Sequence, residues 1–416
     1  MSTVGIIAEY NPFHNGHRWQ INQIHAQDPK AKVIIAMSGS FTQRGEAAIL
    51  NKWERAALAV QHGAALVLEL PAVFALRSAQ HFALGGVSLL HKTGLTDKLA
   101  FGVSGATVDS LQGAADLIDS ETFQAKLHDA IAAGLSYGGA LYKLLAAETN
   151  LSPAALQDPN NILAIEYLRA LDRLKSRLEP IAMERQGANH NSLGIRGSFA
   201  AAGAIRDRLF TPAPPWPELS QVMPTATFNL LRHSVSTVGL PQTQRLLPAI
   251  LCKLMSCPRS ELAKIYGFNE GLEYKFVTAA KQATSWQDFL NRLTDKRYTA
   301  ARQRRAILHL LLGITQEEMT AFDTTGARYI RPLAFSEQGR ELLRQIKHRA
   351  DLPVITKLSA FLTTRDLEGN KKILSPLQQM LAYDCRATDL HSLCYSPLAP
   401  RALDFTHSPV YVKSRL

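Results

Sequence analysis

The sequence predicts an α/β fold in which a parallel sheet in the N-terminal half is followed by a mostly α-helical C-terminal half. Short apolar β-type runs alternate with helical stretches over the first hundred residues, which is typical of parallel βαβ units. A proline-rich stretch, residues 211–217, interrupts this pattern, and amphipathic helices follow it. With 416 residues and 46% hydrophobic residues, the chain exceeds the usual size of one domain. We therefore expect two domains, residues 1–210, with a helical insertion at about 110–175, and residues 218–416.

The individual elements follow from the same patterns. Strands are predicted at 4–8, 33–37, 66–70, 99–101 and 180–183, and helices at 21–25, 52–61, 80–90, 162–174, 243–253, 287–293 and 299–312. Gly16, Gly39 and Gly102 each follow a strand end. Because parallel strands end at one edge of the sheet, where open α/β folds bind ligands, these three loops are expected to form one cleft.

The first strand leads into the most informative segment of the chain, Asn11-Pro12-Phe13-His14-Asn15-Gly16-His17. A helical stretch begins at Arg18, so the loop joins a strand to a helix N-terminus, which attracts anions. Two imidazoles three residues apart can both reach the oxygens of a triphosphate. The alternative assigns His14 to a helix cap and His17 to the surface of the first turn.

The charge distribution points to a polyanionic partner. The net charge is +11, and basic residues concentrate in the second half. One cluster lies at 292–305 around Tyr298, and a second at 328–357 includes Tyr329 and Arg331. Cations interleaved with tyrosines suit phosphate contacts and base stacking in RNA binding, although a solvated helix face is the alternative.

Other classes of protein are disfavoured. No apolar run reaches the roughly 18 to 20 residues of a membrane span, and the N-terminus lacks a signal-peptide pattern. The spacing of the four cysteines fits neither a zinc site nor a thioredoxin-type pair. We therefore expect a cytoplasmic protein with reduced thiols and no membrane partner.

Several segments together resemble the bacterial tRNA(Met) cytidine acetate ligases, a branch of the nucleotidyltransferase superfamily with a His-x-Gly-His motif. The segments are Gly5 to His17, Met37 to Glu46, Lys52-Trp53, Leu68 to Pro71, Pro159 to Ile162, and Lys296 to Arg305. The resemblance runs nearly end to end. It implies a Rossmann-like nucleotidyltransferase sheet and an enzyme that uses ATP and acetate to acetylate N4 of the wobble cytidine, position 34, of elongator tRNA(Met).

The resemblance also assigns residues to roles. It implies that His14 and His17 are catalytic. The implied ATP-binding residues are Ile7, Ala8, Glu9, Tyr10, Asn11, Pro12, Phe13, His14, Asn15, Gly16, His17, Arg18, Trp19, Gln20, Gly102, Asn161 and Arg185. Mg²⁺ is expected with the ATP, and no residue is assigned as a metal ligand. The basic cluster at 292–305 supplies the residues expected to bind tRNA, which are Lys296, Arg297, Tyr298, Arg302 and Arg305, and no DNA partner is expected.

Two pairs of residues allow alternative roles, and one segment departs from the pattern of relatives. Asn160 or Asn161 would be a fair N-cap for the helix at 162–174, and Asn160 is a neighbouring possibility for the nucleotide contact. Arg44 and Glu46 could shape an acetate or cytidine site or form a surface turn. Ala201 to Ala204, before Arg206, lacks the hydroxyl residues that relatives typically carry there.

Two other functions are compatible with the sequence. One is a nucleotidyltransferase acting on a small metabolite, which would share the histidine loop but would have no use for the basic cluster at 292–305. The other is an RNA-binding protein with an inactive nucleotide site.

Overall fold

The computed structural model describes residues 2–184, 197–268, 271–295, 298–368 and 373–413. The predicted site residue Arg185 and the predicted tRNA-binding residues Lys296 and Arg297 lie outside the described residues.

A seven-stranded sheet forms the centre of the molecule, with the strand order β5-β4-β1-β2-β3-β6-β7. The strands are β1 (Thr3–Ala8), β2 (Lys32–Ser38), β3 (Leu66–Leu70), β4 (Lys98–Val103), β5 (Glu179–Glu184), β6 (Pro332–Phe335) and β7 (Val410–Tyr411). The first five strands pair in parallel, β6 runs antiparallel to β3, and β7 is parallel to β6. The predicted α/β fold is thus confirmed, with a sheet that is mostly parallel.

The central strands are predominantly apolar because helices cover both faces of the sheet. Val33 to Met37 of β2 are fully buried, and so are Leu66 to Leu68 of β3. The strand predicted at 66–70 is found there, and the other four predicted strands are each longer by one to three residues.

Ten helices precede the proline-rich stretch in the described part of the chain. They are α1 (Asn15–Gln27), α2 (Lys52–Gln61), α3 (Ala72–Ala75), α4 (Ala79–His91), α5 (Val108–Asp119), α6 (Glu121–Ala132), α7 (Tyr137–Glu148), α8 (Pro153–Gln157), α9 (Pro159–Arg173) and α10 (Ala202–Leu209). The predicted helical insertion corresponds to α5 to α9.

The expectation that Asn160 or Asn161 caps α9 is wrong. The N-cap is Asp158, whose carboxylate accepts the Asn160 backbone N–H at 2.8 Å. Pro159 occupies the first helical position, where its missing N–H costs nothing.

The rest of the chain is mostly helical, as predicted. Its helices are α11 (Trp216–Val222), α12 (Thr225–Thr237), α13 (Leu247–Ser256), α14 (Arg259–Leu262), α15 (Leu272–Gln282), α16 (Trp286–Leu293), α17 (Ala300–Leu312), α18 (Gln316–Thr325), α19 (Glu337–Arg349), α20 (Thr364–Leu367), α21 (Pro376–Ser392) and α22 (Leu403–Thr406), with 3₁₀ turns at Thr243–Leu246 and Leu358–Ala360. The helix expected at 243–253 is therefore divided, because α13 begins only where Pro248 fits its first turn.

The C-terminal half also contributes to the sheet, which the sequence did not predict. β6 pairs with β3, and a buried group of charges lies beside this pairing. Lys52 Nζ lies 2.6 Å from both Glu69 Oε1 and Asp404 Oδ1, and Arg331 contacts the same two carboxylates. The division into two domains stays a prediction, and the sheet itself contains strands from both sides of residues 211–217.

The expected exposure of the second basic cluster is wrong at two positions. Tyr329 is fully buried and donates its hydroxyl hydrogen to Asp384, and Arg331 is buried in the charge group beside β6. Neither side chain can stack on or contact an RNA base. In the described part of the chain, no helix is both long and apolar enough to cross a membrane.

Candidate active site

A cavity of about 370 Å³ lies beyond the carboxyl ends of β1, β4 and β5. This is the edge of an open α/β sheet where ligands bind, and the volume falls in the range of small-molecule sites. The lining residues are Ile7 to Asn11, His14, Gly16, His17, Trp19, Gln20, Gln43, Arg44, Ala79, Phe82, Ala100 to Gly102, Pro159, Asn160, Ile162, Leu163, Tyr167, Met183, Phe199 to Ala202, and Arg206.

The two histidines lie at the entry of α1 and stack on each other. Their ring centroids are 3.7 Å apart, with an angle of 20° between the rings. His14 is the N-cap, and its Nδ1 accepts the Gly16 N–H at 3.1 Å, while Nδ1 of His17 accepts the His14 N–H at 3.2 Å. The alternative interpretation of His14 as a helix cap is therefore also correct, because this residue both caps the helix and lines the cavity.

These two hydrogen bonds fix the tautomers of the histidines. A nitrogen that accepts a hydrogen bond carries no proton, so the proton of each neutral imidazole is on Nε2. An Nε2–H group is a hydrogen-bond donor, which is the group that a phosphoryl oxygen requires. The same two hydrogen bonds to Nδ1 therefore cap the helix and leave an Nε2–H donor on each neutral imidazole.

Three helix N-termini meet at the cavity. Gly16 of α1, Pro159 of α9 and Ala202 of α10 all belong to first turns and line it. The N-cap of α10 is Ala201, and no side chain caps this helix, which agrees with the missing hydroxyls in this segment. Pro159 has no N–H, and the Gly16 N–H is bonded to His14. The first turn of α10, which no side chain caps, therefore offers the backbone N–H groups that favour an anionic ligand.

Arg206 adds a positive charge to the same wall. Its Nη1 donates to the Asn11 carbonyl at 2.8 Å, and Nη2 lies 3.4 Å from Glu46 Oε2. The chain thus fixes Arg206 beside the histidine loop by a carbonyl on one side and a carboxylate on the other.

The loop from Thr42 to Glu46 contributes Gln43 and Arg44 to the cavity wall next to Arg206, and α17 holds this loop in place. Arg304 Nε donates to the Arg44 carbonyl at 3.1 Å, and Arg305 Nη1 donates to the Gln43 carbonyl at 3.1 Å. Gly45 has a φ of +74°, and a Cβ there would lie 2.8 Å from Cβ of Arg304. Two of the arginines in the first basic cluster are therefore engaged in positioning a cavity wall.

The remaining wall is largely apolar. Ile7, Phe101, Leu163, Tyr167 and Met183 line it, which suits the face of a heteroaromatic base.

The structure separates the two neighbouring asparagines of α9. Asn160 lines the cavity, whereas Asn161 is buried, accepts the Ser104 N–H at 2.9 Å and donates to the Ser104 carbonyl at 2.8 Å. Asn161 therefore orders the loop that begins at Ser104, directly after β4. Gly102, predicted to follow a strand end, lies within β4 and lines the cavity from there.

Glu9 follows the end of β1 and places a carboxylate in the cavity. Its Oε1 accepts the Gln43 N–H at 2.6 Å. Burial raises the pKa of Glu9, while the Gln43 N–H and the charges of Arg206, Arg55 and Arg44 act in the opposite direction.

Comparison with known proteins agrees with this geometry. Residues 1–404 match the HIGH Nucleotidyl Transferase family. The tRNA(Met) cytidine acetate ligase of Halothermothrix orenii is 34% identical over 408 residues, 95% of each chain, and that of Thermoanaerobacter sp. strain X514 is 35% identical over 413 residues, 98% of this chain and 99% of the relative. The chain belongs to the tRNA(Met) cytidine acetate ligase family.

Solved structures of Thermotoga maritima TmcAL are similar over the whole length. The apo form I superposes with a TM-score of 0.89 at 30% identity, and the form II crystal with bound alpha-thio ATP gives 0.88 at 29% identity, each covering 100% of both chains. The resemblance predicted from the sequence motifs is confirmed.

Most of the loop predicted to bind ATP in this family member lines the cavity. The loop residues that do not line the cavity are Pro12, Phe13, Asn15 and Arg18, and the predicted ATP contact Asn161 on α9 does not line it either. Phe13 packs edge-on against Tyr10 beneath the loop, and Asn15 donates to the carbonyls of Ser198 and Gln221 at 2.9 and 2.8 Å. These two residues position the loop, and their assignment as ATP contacts stays a prediction.

The described residues of the predicted tRNA-binding set are partly covered. Tyr298 is 8% exposed, and the Arg302 guanidinium lies 4.5 Å from its ring centroid. Arg305 bonds to Gln43. Arg302 is half-buried and remains the member of this set best placed to reach a phosphate, and the assignment of all three stays a prediction.

Sequence reasoning missed Leu163 and Tyr167 and undervalued Gln43. Asn160, Leu163 and Tyr167 follow helical spacing, so one face of α9 lines the cavity while Asn161 points away. That periodicity was a usable signal. Gln43 has no comparable sequence signal, because the hydrogen bond that holds it in the cavity wall comes from Arg305, which lies 262 positions further along the chain.

Proposed function

We propose that this protein is an ATP-dependent acetate ligase that forms acetyl-adenylate and then acetylates N4 of the wobble cytidine, position 34, of elongator tRNA(Met). The observation that carries the proposal is the stacked His14–His17 pair, whose Nδ1 atoms accept backbone N–H groups, located in the cavity where the first turns of α1, α9 and α10 meet. Relatives that match 95% and 98% of this chain carry the name tRNA(Met) cytidine acetate ligase. The form II structure of T. maritima TmcAL has bound alpha-thio ATP.

In the first step an acetate oxygen attacks the α-phosphorus of ATP, and pyrophosphate leaves. The protein needs to position the reactants and neutralise charge, since the phosphoryl transfer requires little covalent chemistry from side chains. The Nε2–H groups of His14 and His17 would donate to phosphoryl oxygens, and the N–H groups of α10 with Arg206 would hold the rest of the triphosphate. The apolar wall around Tyr167 would take the adenine.

Magnesium is expected to enter with the nucleotide. In the described ranges no group of three or more His, Cys, Asp and Glu side chains is arranged to hold a metal ion. Mg²⁺ commonly keeps several waters and binds mainly to substrate phosphates. The described side chains therefore do not form a resident metal site of this kind.

In the second step the N4 amine of the cytosine attacks the acetyl carbon, and AMP leaves. This amine is a weak nucleophile, so the base must be unstacked and presented to an activated acetyl group in a site that excludes water. The basic C-terminal half would bind the tRNA backbone, and a cytoplasmic location agrees with such a substrate.

A direct assay tests the proposal. The protein is incubated with ATP, labelled acetate and bulk tRNA, and the digested RNA is examined for N4-acetylcytidine. We expect label in N4-acetylcytidine that depends on ATP. Absence of label with intact tRNA(Met) present would contradict the proposal, and acetate-dependent pyrophosphate release without RNA labelling would favour a small-metabolite substrate.

A further inference from the structure

Glu9 occupies a distinctive position in the cavity. Among the described residues that line it, Glu9 is the only Asp or Glu. Its backbone is fixed, because β1 ends at Ala8 and Arg55 Nη1 donates to the Glu9 carbonyl at 2.6 Å. The carboxylate is therefore presented from a rigid strand end rather than from a flexible loop.

The two oxygens of this carboxylate differ. Oε1 accepts the Gln43 N–H, and Oε2 accepts no hydrogen bond from any described residue. The side chain is partly exposed, and the exposure faces the cavity that it lines. One oxygen thus orients the group, and the other can accept a proton from a ligand.

The second step of the proposed reaction requires a proton acceptor. The N4 nitrogen forms a bond to the acetyl carbon, the bond from that carbon to the phosphate oxygen breaks, and AMP leaves with the electron pair. The nitrogen must also lose one proton. Arg44 and Arg206 are cationic, and Nδ1 of His14 and of His17 already accepts a backbone N–H. Glu9 is the remaining described group in the cavity that is suited to accept it.

We propose that Glu9 is the catalytic base that takes the proton from the N4 amine of cytidine. This inference rests on the function proposed above. The charged or titratable groups that face Glu9 are Arg44 of the Thr42–Glu46 loop, Arg55 of α2, Tyr167 of α9 and Arg206 of α10. Burial raises the pKa of Glu9, which makes its carboxylate a stronger base than an exposed one.

The decisive variant is Glu9→Gln, because its amide oxygen can still accept the Gln43 N–H but cannot take the proton. The two steps are measured separately. Acetate-dependent exchange of pyrophosphate into ATP reports the first, and transfer from synthetic acetyl-adenylate to tRNA reports the second. We expect exchange within about 3-fold of the unmodified protein and a loss of transfer of about 100-fold or more, the usual size of a general-base contribution.

The pH profile supplies a second readout. Transfer by the unmodified protein should rise with pH through one ionisation, and this inflection should be absent from Glu9→Gln. Glu54→Gln is the matched control, since burial also raises the pKa of Glu54, which lies on α2 in a capping box that glutamine preserves. Both steps should be unchanged in this control.

Two results would overturn the inference. Unchanged transfer in Glu9→Gln would assign the proton to the leaving phosphate or to water, and loss of both steps would assign Glu9 to nucleotide binding. Failure of the proposed function is a separate outcome, because the unmodified protein would then form no N4-acetylcytidine.

Discussion

The Arg304 guanidinium lies 3.2 Å from Oε1 of Glu46, and so joins α17 to the cavity wall. The other oxygen of the same carboxylate lies 3.4 Å from Arg206. The Glu46 carboxylate thus contacts both Arg304, from the basic cluster at 292–305, and Arg206, which lines the cavity. The region expected to contact tRNA and the region expected to bind ATP share one anchored loop.

Substitution of Gly45 tests this anchoring. A Cβ at this position would lie 2.8 to 2.9 Å from atoms of Arg304 and Arg305, and the φ of +74° is strained for other residues. We expect Gly45→Ala to lower the free energy of unfolding and to raise KM for ATP about 10-fold or more, because the loop must shift. Gly134→Ala is the control, with a φ of +96° and no atom within 4 Å, and should cost only about 1–2 kcal/mol of backbone strain. Equal effects of the two variants on KM would contradict the anchoring.

His14→Asn separates the two roles of this histidine. Asparagine is a good N-cap, so the free energy of unfolding should change by less than about 1 kcal/mol. The Nε2 donor is lost, and we expect acetate-dependent pyrophosphate exchange to fall about 100- to 1000-fold, as when a donor to a developing charge is removed. Thermal melting and the exchange assay measure the two effects. Retained exchange would show that His14 acts through the helix cap alone.

Arg302 should contribute to the electrostatic part of tRNA binding. Each phosphate contact that releases a counterion adds about 0.7 to 0.9 to the slope of log K against log salt. Arg302→Ala should therefore weaken binding and reduce that slope by about 1, as measured by filter binding at several salt concentrations. Lys126→Ala on α6 removes an exposed charge outside the basic half and should leave the slope unchanged. Equal slopes for both variants would exclude Arg302 from the contact.

The buried charges predict a dependence of stability on pH. The two positive charges of Lys52 and Arg331 are already balanced by Glu69 and Asp404. Burial, and to a smaller extent the negative charge of Glu69, therefore raises the pKa of Asp384 to about 7. An unfolded Asp titrates near about 4. The folded state holds this proton more tightly, and its contribution to stability is complete below about pH 4 and is lost as the pH rises through about 7.

Urea unfolding at several pH values measures this contribution. Between pH 4 and 7 the free energy of unfolding of Asp384→Asn should fall less steeply than that of the unmodified protein. Asp351→Asn, at an exposed position, should follow the unmodified curve. Identical slopes for all three proteins would mean that Asp384 is ionised throughout.

Local patterns predicted the N-terminal strands, α2 and the histidine loop. β2 contains a continuous apolar run from Val33 to Met37, and α2 has Asn51 as its N-cap in a capping box with Glu54, so both are determined by near neighbours in the sequence. The position of the cavity followed from the rule that parallel strands end at one edge.

The elements that the sequence did not predict depend on distant residues. β6 has four residues and begins with a proline, and its partner β3 lies more than 260 positions earlier. Tyr329 and Arg331 have the composition of an RNA-binding segment, but Asp384, Asp404 and Glu69 remove them from solvent. Composition gives the number of charges and does not show which of them find a buried partner.

The antiparallel pairing of β6 with β3 limits how the chain could be divided. A piece ending before residues 211–217 would leave one edge of β3 open, and would leave Lys52 and Glu69 without Arg331 and Asp404. Exchange of halves between relatives at this point would therefore have to preserve a strand pairing and four buried charges. Nucleotide use and RNA selection are thus expected to be inherited together, as one cooperative unit rather than as interchangeable modules.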